Sequence, residues 1–402
     1  MAAGRVPCVR QGRSDPPRCQ LSPRRATLPG RRTCRRAAIL RVDVGFARPR
    51  SRLRRVVPVV DSRQQRLLAI QKRLRLGAGH VVTDGVLNAL AVAARRHPLA
   101  RPDRHNVEVI RNIPYGDRAI RDHHLDIYRP TRHPEPHPVV LYVHGGGFRM
   151  LSKDSHWIMG LAFARQGYLV CNVSYRLAPR HPFPAAVEDV CAAYEWVSEH
   201  VAAYGGDRSR LVLAGESAGA NLVSTLAVAA TYRRPEPYAR RVFDTGLVPA
   251  AVIPACGLLQ VTDPERFARR RRIPLWVTSA ILEVSRAYLR GYRQPQPGVL
   301  DLADPLLVFE RGAPPDRPLP PFFLPVGTRD PLLDDTRRMV RALRALGCAA
   351  EAEYYSGEIH AFHAMVWRRQ ARRCWRDIFA FLDRHLRAPA LRPAVFAARR
   401  AV

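Results

Sequence analysis

The sequence predicts an α/β protein with a mainly parallel central sheet that helices cover on both faces. Short apolar runs of strand length alternate with segments of helical periodicity from residue 107 onward, as in repeated strand–helix–strand units. Several of these runs are continuously apolar, which is typical of strands buried on both faces. The chain has 402 residues and is 47% hydrophobic, enough for one large domain with an insertion or for two domains.

The formal net charge is +32, and much of it lies in residues 1–60, where sixteen arginines stand against Asp15 and Asp43. This segment is also rich in proline and glycine and shows no periodicity, so it cannot bury enough apolar surface to fold. We interpret it as a disordered basic extension. A nucleic-acid-binding arm is the alternative, which the lack of aromatic residues other than Phe46 disfavours.

Domain boundaries follow from changes in periodicity. Apolar residues at helical spacing in residues 61–97 predict helices, so residues 61–105 are expected to be N-terminal cap helices and a linker. The α/β domain is expected at residues 106–390. Within it, residues 260–300 mix arginines with scattered large apolar residues and predict a helical insertion above the sheet, and residues 391–402 are a tail.

The predicted strands are residues 107–110, 125–128, 139–143, 168–173, 211–214, 248–255, 322–327 and 351–355. The predicted helices after residue 105 are residues 158–164, 187–200, 221–228, 336–346 and 371–386, in addition to the insertion. The last strand alternates apolar and polar residues, as a half-buried strand at a sheet edge does.

No run approaches 18 consecutive apolar residues, and no apolar segment follows the charged N terminus, so neither a membrane span nor a secretory signal is expected. The eight cysteines include no C-x-x-C pair and no zinc-type spacing to histidine. We therefore expect a reduced, cytoplasmic protein without a metal site. Cys171 and Cys256 lie in apolar strand-like runs and are expected to be small core side chains.

A candidate nucleophile lies in residues 215–219, Gly-Glu-Ser-Ala-Gly, between a predicted strand and a predicted helix. A serine between two glycines at such a corner is typical of a nucleophile elbow, where a strained backbone exposes the hydroxyl at a helix N-terminus. The five-residue pattern alone is weak, because an ordinary Gly/Ser turn has the same letters. The flanking strand and helix favour Ser217 as a nucleophile.

Three consecutive glycines, Gly145, Gly146 and Gly147, follow His144 at the end of the apolar strand 139–143. A flexible loop is one interpretation. The other is a loop whose backbone approaches a ligand with its N–H groups pointing inward. Beside an elbow serine, such amides would form half of an oxyanion hole.

A serine nucleophile needs a base within hydrogen-bond reach and a carboxylate that orients the base. Ser217, Asp330 and His360 each follow a predicted strand, and parallel strands gather their C-terminal loops at one edge of the sheet. We therefore predict that these three side chains meet. His363 is an alternative base.

Asp334 and Asp335 are alternative acids to Asp330. Both come just before a predicted helix, where the positive end of the helix dipole stabilises a carboxylate. We therefore assign them to the start of that helix. Glu216 is expected to support the elbow structurally. His144 is expected to brace the loop of Gly145, Gly146 and Gly147 (the glycine loop) by hydrogen bonds.

Together these segments resemble the hormone-sensitive-lipase group of α/β-hydrolases, the family IV bacterial carboxylesterases. The similarity spans roughly residues 107–385 and rests on five motifs in order: residues 144–148 (His-Gly-Gly-Gly-Phe), 175–186 (Tyr-Arg-Leu-Ala-Pro-Arg-His-Pro-Phe-Pro-Ala-Ala), 215–219, 330–332 (Asp-Pro-Leu) and 360–362 (His-Ala-Phe). Ser174, Arg180, Ala220 and Ala361 depart from the family pattern, and none of them removes a catalytic group.

The resemblance implies an α/β-hydrolase fold with a helical cap from residues 61–97 and 260–300. It implies a serine esterase without a cofactor, acting on small carboxylic esters with short-to-medium acyl groups. The alternative is a non-catalytic ligand receptor on the same fold, although such relatives usually lack the histidine. The oligomeric state stays open, with a homodimer among the alternatives.

The resemblance also implies the roles of the site residues. Ser217 attacks the ester carbonyl, His360 takes up the serine proton, and Asp330 orients His360. The amides of Gly145, Gly146 and Ala218 hold the oxyanion, and the sequence leaves open which two of the three glycine amides point inward.

Overall fold

The computed structural model describes Arg95 and residues 97–269, 273–292, 296 and 298–386. The predictions for the basic extension (1–60) and for the tail (391–402) lie outside these residues, as do the predicted helices of residues 61–97 apart from Arg95 and His97. Among the described residues, no helix has the length and apolar character needed to cross a membrane.

The fold is built on one sheet of eight strands with the order β1-β2-β4-β3-β5-β6-β7-β8. The strands are β1 (Val107–Pro114), β2 (His124–Pro130), β3 (His137–Val143), β4 (Leu169–Val173), β5 (Gly206–Glu216), β6 (Ala251–Ala255), β7 (Phe322–Gly327) and β8 (Ala350–Tyr355). β2 pairs antiparallel with β1 and β4, and the pairings from β4 to β8 are parallel. The prediction of a mainly parallel sheet is confirmed, with β8 at its edge.

Helices connect the strands. The α-helices of the described residues are α1 (Trp157–Ala164), α2 (Ala185–His200), α3 (Ala218–Thr231), α4 (Pro237–Asp244), α5 (Glu265–Ala268), α6 (Leu275–Tyr288), α7 (Pro305–Glu310), α8 (Leu333–Ala345) and α9 (Arg369–Leu386). Short 3-10 turns lie at Pro98–Ala100, Pro102–His105, Val201–Tyr204 and Phe362–Ala364. Helices α4 and α7, both of which begin at a proline, were not predicted from the sequence.

Alternate side chains of β3 pack into different apolar clusters, which shows that both faces of the sheet are covered. Val139, Leu141 and Val143 belong to one apolar cluster, which includes residues of α2 and α3. Val140 and Tyr142 belong to a second cluster, which includes residues of α1 and α9. Because successive side chains of a strand point to opposite faces, the two clusters are the two layers that the sequence predicted.

Within residues 260–300, the predicted insertion, the described residues include α5 and α6. One predicted strand is shorter in the structure: β6 begins at Ala251, whereas the sequence suggested residue 248. The Ala250 N–H still donates to the Leu211 carbonyl at 2.7 Å, but the regular pairing with β5 begins at Ala251.

Candidate active site

The elbow between β5 and α3 holds Ser217 in a conformation rare for a residue with a side chain, at φ 56° and ψ −115°. Two glycines make the corner sterically feasible. A Cβ on Gly219 would lie 2.0 Å from the carbonyl oxygen of Val143, and one on Gly215 would lie 2.7 Å from the same atom. The predicted strand–Ser–helix corner is therefore present, and its hydroxyl stands at the N-terminus of a 14-residue helix.

The elbow is fixed to the neighbouring β6 loop by backbone hydrogen bonds. The Ser217 N–H donates to the Ala255 carbonyl at 3.0 Å, and the Ser217 carbonyl accepts from the Leu258 N–H at 3.2 Å. One turn into α3, the buried Asn221 amide donates to the carbonyls of Leu258 (2.9 Å) and Ala303 (3.0 Å). These bonds hold the strained serine against relaxation.

The three predicted catalytic side chains meet at the carboxyl edge of the sheet. The Ser217 Oγ lies 3.0 Å from His360 Nε2, and His360 Nδ1 lies 2.9 Å from Asp330 Oδ2. The other oxygen of Asp330 accepts the Leu332 N–H at 2.8 Å, which fixes the orientation of the carboxylate. Hydroxyl, imidazole and carboxylate are thus in the order required for general-base activation of a serine.

Opposing effects set the protonation state of His360. Burial favours the neutral imidazole, but the adjacent Asp330 carboxylate raises the pKa of His360 well above its usual 6.5. Asp330 is buried, whereas the His360 side chain is 35% exposed. Solvent and small molecules therefore reach the imidazole and the half-buried Ser217, whereas the Asp330 carboxylate is enclosed.

The alternative residues are engaged elsewhere. His363 is buried, and burial lowers its pKa to about 4. Asp334 and Asp335 lie in the first turn of α8, as predicted. Asp334 pairs with Arg337 at 3.3 Å, and the buried Asp335 pairs with Arg266 at 2.7 Å.

The glycine loop runs beside the elbow, since a Cβ on Gly145 would lie 3.3 Å from the Ser217 Cβ. The Gly145 N–H donates to Glu216 Oε1 at 2.6 Å. That amide is already committed, which corrects the prediction that Gly145 is an oxyanion donor. Gly146 (φ 107°) and Gly147 (φ 61°) take left-handed conformations, and no hydrogen bond joins their amides to the described part of the chain.

Glu216 is the buried strut of this loop. Its carboxylate accepts the Tyr142 hydroxyl and the Gly145 amide and pairs with His156 Nε2 at 2.6 Å. Burial alone would raise the pKa of Glu216, but the His156 charge and hydrogen bonds lower it to about 2. In turn, the Glu216 carboxylate raises the pKa of His156 against the effect of burial. The buried Glu216 and the partly exposed His156 form an ion pair under the glycine loop.

His156 was not anticipated from the sequence, because it lies in no motif and its partner is 60 residues away in the chain.

His144 braces the glycine loop, as expected. Its ring stacks on Tyr175 with 4.3 Å between centroids, and its Nδ1 lies 2.7 Å from the Gly145 carbonyl. Burial lowers the pKa of His144 to about 3, so the ring is neutral and Nδ1–H donates to that carbonyl.

Helix α6 of the insertion packs on the glycine loop. The Phe148 and Tyr288 rings stack at 3.8 Å, and a Cβ on Gly147 would lie 2.8 Å from a methyl of Val284. Arg149 lies 3.7 Å from Glu283 across the same interface. The insertion therefore forms one wall beside the serine, on the side of the glycine loop.

Comparison with known proteins shows consistent similarities. A family profile described as "alpha/beta hydrolase fold" matches residues 140–364. Esterase LipI of Mycobacterium tuberculosis is 34% identical over 293 residues, which cover 70% of this chain and 82% of LipI. Carboxylesterase NlhH of the same species is 32% identical over 251 residues, covering 61% of this chain and 73% of NlhH.

Solved structures share the same architecture. A bacterial heroin esterase superposes with a TM-score of 0.64 at 25% identity, covering 77% of this chain and 93% of that protein. Esterase LipW of Mycobacterium marinum superposes with a TM-score of 0.61 at 23% identity, covering 77% and 90% of the two chains.

Proposed function

This chain belongs to the α/β-hydrolase fold family and is an ester-hydrolysing enzyme, and on that premise we propose that it hydrolyses carboxylic esters through Ser217, His360 and Asp330. The observation that supports this most strongly is the continuous hydrogen-bonded line from the Ser217 hydroxyl to the Asp330 carboxylate, with separations of 3.0 and 2.9 Å. A non-catalytic receptor does not require a base that is hydrogen-bonded to a serine hydroxyl.

In the proposed mechanism, the Ser217 Oγ attacks the ester carbonyl while His360 Nε2 accepts its proton. The tetrahedral intermediate then collapses, and His360 protonates the departing alcohol. The acyl group is left on Ser217. Water, deprotonated by the same imidazole, releases the acid and restores the serine. Asp330 keeps the Nδ1 proton in place and stabilises the imidazolium that forms twice in each cycle.

The oxyanion would be held by the amides of Gly146, Gly147 and Ala218. Ala218 is the first residue of α3, where free N–H groups and the helix dipole both favour negative charge. The two glycines are supported as donors because their neighbour Gly145 is bound to Glu216, which fixes the loop next to Ser217. Such donors act most strongly on the charge that develops in the transition state.

We further propose that the preferred acyl groups are short to medium in length. Support comes from α6, whose Val284 and Tyr288 fill the space over the glycine loop. A series of p-nitrophenyl esters of increasing acyl length tests this directly. We expect kcat/KM to be highest for the short members and to fall as the chain lengthens, and a steady rise with chain length would contradict the proposal.

The chemistry itself is tested by Ser217→Ala. We expect kcat to fall by about 10⁶, as in hydrolases whose nucleophile has been removed. Ser224→Ala is the matched control: Ser224 lies on the same helix, is buried, and bonds only the Ala220 carbonyl (2.8 Å) among the contacts of its hydroxyl in the described residues. Near-normal turnover by Ser217→Ala would refute the proposed nucleophile.

A further inference from the structure

Cys256 is buried in a small apolar cluster with Ala255 and Val326, as the sequence predicted, and it also lies beside Asp330 and His360. It directly follows β6 and is buried, but its backbone is left-handed at φ 41°. Its N–H donates to the Pro325 carbonyl at 3.0 Å, which ties the turn to β7. Because Ser217 and Asp330 follow β5 and β7, this turn brings the thiol to the same edge of the sheet as the triad.

The thiol completes a cluster of three potential metal ligands. One donor atom each of Cys256, Asp330 and His360 lie within 4.8 Å of one another. Thiolate, imidazole and carboxylate are the ligand types that zinc binds, and a thiolate selects zinc or cadmium over magnesium or calcium. Among the described residues, no other group of three His, Cys, Asp or Glu side chains comes this close.

We propose that Cys256, His360 and Asp330 form an inhibitory site for a thiophilic divalent cation such as Zn²⁺, overlapping the catalytic triad. The inhibitory effect rests on the proposed function, whereas binding of the ion does not. One thiolate and one carboxylate would neutralise the two positive charges of the ion, which is the balance that a buried site requires.

Binding would stop catalysis through the proton on the imidazole. The ring nitrogen on the Asp330 side is Nδ1. When an ion replaces its proton, that proton moves to Nε2, while the Cys256 thiol releases its own proton to solvent. Starting from the neutral imidazole, one proton is thus released for each ion bound. Nε2 then carries a hydrogen toward Ser217 and can no longer accept the serine proton.

The exposure of the proposed site is compatible with reversible binding of the ion. Cys256 and Asp330 are buried, but the His360 side chain is 35% exposed. An ion can therefore approach along the imidazole from the side that the proposed substrate uses. Substrate and ion would compete for this approach.

The first experiment measures hydrolysis of p-nitrophenyl acetate against Zn²⁺ concentration. Each variant is normalised to its own metal-free rate, and EDTA should restore that rate. Cys256→Ser should raise the inhibition constant at least about tenfold, since loss of even an outer-shell partner weakens metal sites about 10–100-fold. Cys191→Ser, which alters a buried cysteine of α2, is the matched control and should be inhibited like the unaltered chain.

The second experiment measures binding without activity. Cd²⁺ is titrated into Ser217→Ala and into the double variant Ser217→Ala/Cys256→Ser, and the ultraviolet thiolate–cadmium absorption is compared. The double variant should lose the contribution of one thiolate. Equal absorption, or Zn²⁺ inhibition unaffected by Cys256→Ser, would overturn the site, whereas an active Ser217→Ala enzyme would overturn only the proposed function.

Discussion

Substitution of Gly146 by alanine tests the glycine loop most sharply. A Cβ at this position would lie 2.2 Å from the Met150 carbonyl oxygen and 3.0 Å from its carbon. Both are backbone atoms, which cannot rotate away as a flexible side chain could. The Gly146 carbonyl accepts the N–H groups of Arg149 (3.1 Å) and Met150 (3.2 Å), so the added methyl group must open this turn.

The expected effect has two parts. The positive φ of 107° should lower the free energy of unfolding by about 1–3 kcal/mol, the usual cost of such a conformation for a residue with a side chain. Displacement of the Gly146 amide should lower kcat by about 10²–10³, the effect of losing one oxyanion donor. KM should change little, because the interaction forms in the transition state.

Steady-state kinetics with p-nitrophenyl acetate and urea unfolding measure the two parts separately. Gly246→Ala is the matched control, because Gly246 also has a positive φ (71°) but no atom within 4 Å of an added Cβ. It should lose stability and keep its kcat. If Gly146→Ala has the same kcat as Gly246→Ala, the assignment of the glycine loop to the oxyanion is wrong.

Three further predictions concern the charged and titratable groups. Because Asp330 raises the pKa of His360 and only the neutral imidazole is a base, the acid limb of the kcat/KM–pH profile should lie above pH 6.5. Asp330→Asn should move that limb to lower pH and reduce kcat by about 10⁴, and an unshifted limb would argue against the pairing. Glu216→Gln should lower the free energy of unfolding by about 3–5 kcal/mol in urea denaturation, because it removes the buried carboxylate that pairs with His156. The contribution of the Glu216 ionisation should be present above its unfolded pKa of 4.5 and be lost as the pH falls toward about 2; denaturation midpoints that do not vary with pH in this window would contradict the ion pair. His363→Gln should retain at least about 10²-fold more turnover than His360→Gln in parallel assays, since only the latter removes the base, and equal losses would reopen the choice between the two histidines.

The fold could be predicted from the sequence where burial is uniform. Residues 139–143 and 211–214 are continuously apolar because both faces of the sheet are covered, and the structure has strands there. Polar residues concealed the rest of β5, which begins at Gly206 and pairs with His137 of β3 through an irregular stretch. Such ends depend on a partner strand, and local periodicity does not show them.

Part of the candidate site was likewise predictable from the sequence, and part of it was not. Motif order and the gathering of parallel strand ends predicted Ser217, Asp330 and His360, and the structure brings these side chains together. The commitment of Gly145 to Glu216 was not predictable, because the two residues are 71 positions apart and their contact depends on packing. The position of Cys256 beside the triad depends on a left-handed turn, for which a cysteine gives no sequence signal.

We propose Ser217 as the nucleophile of an esterase. Treatment of the full chain with a serine-reactive organophosphate, followed by mass spectrometry of its peptides, tests this most directly. We expect one phosphoryl adduct on Ser217, loss of esterase activity in proportion to labelling, and no adduct in Ser217→Ala. Complete inhibition with the adduct on another residue, or an unlabelled Ser217 in an inactivated enzyme, would contradict the account.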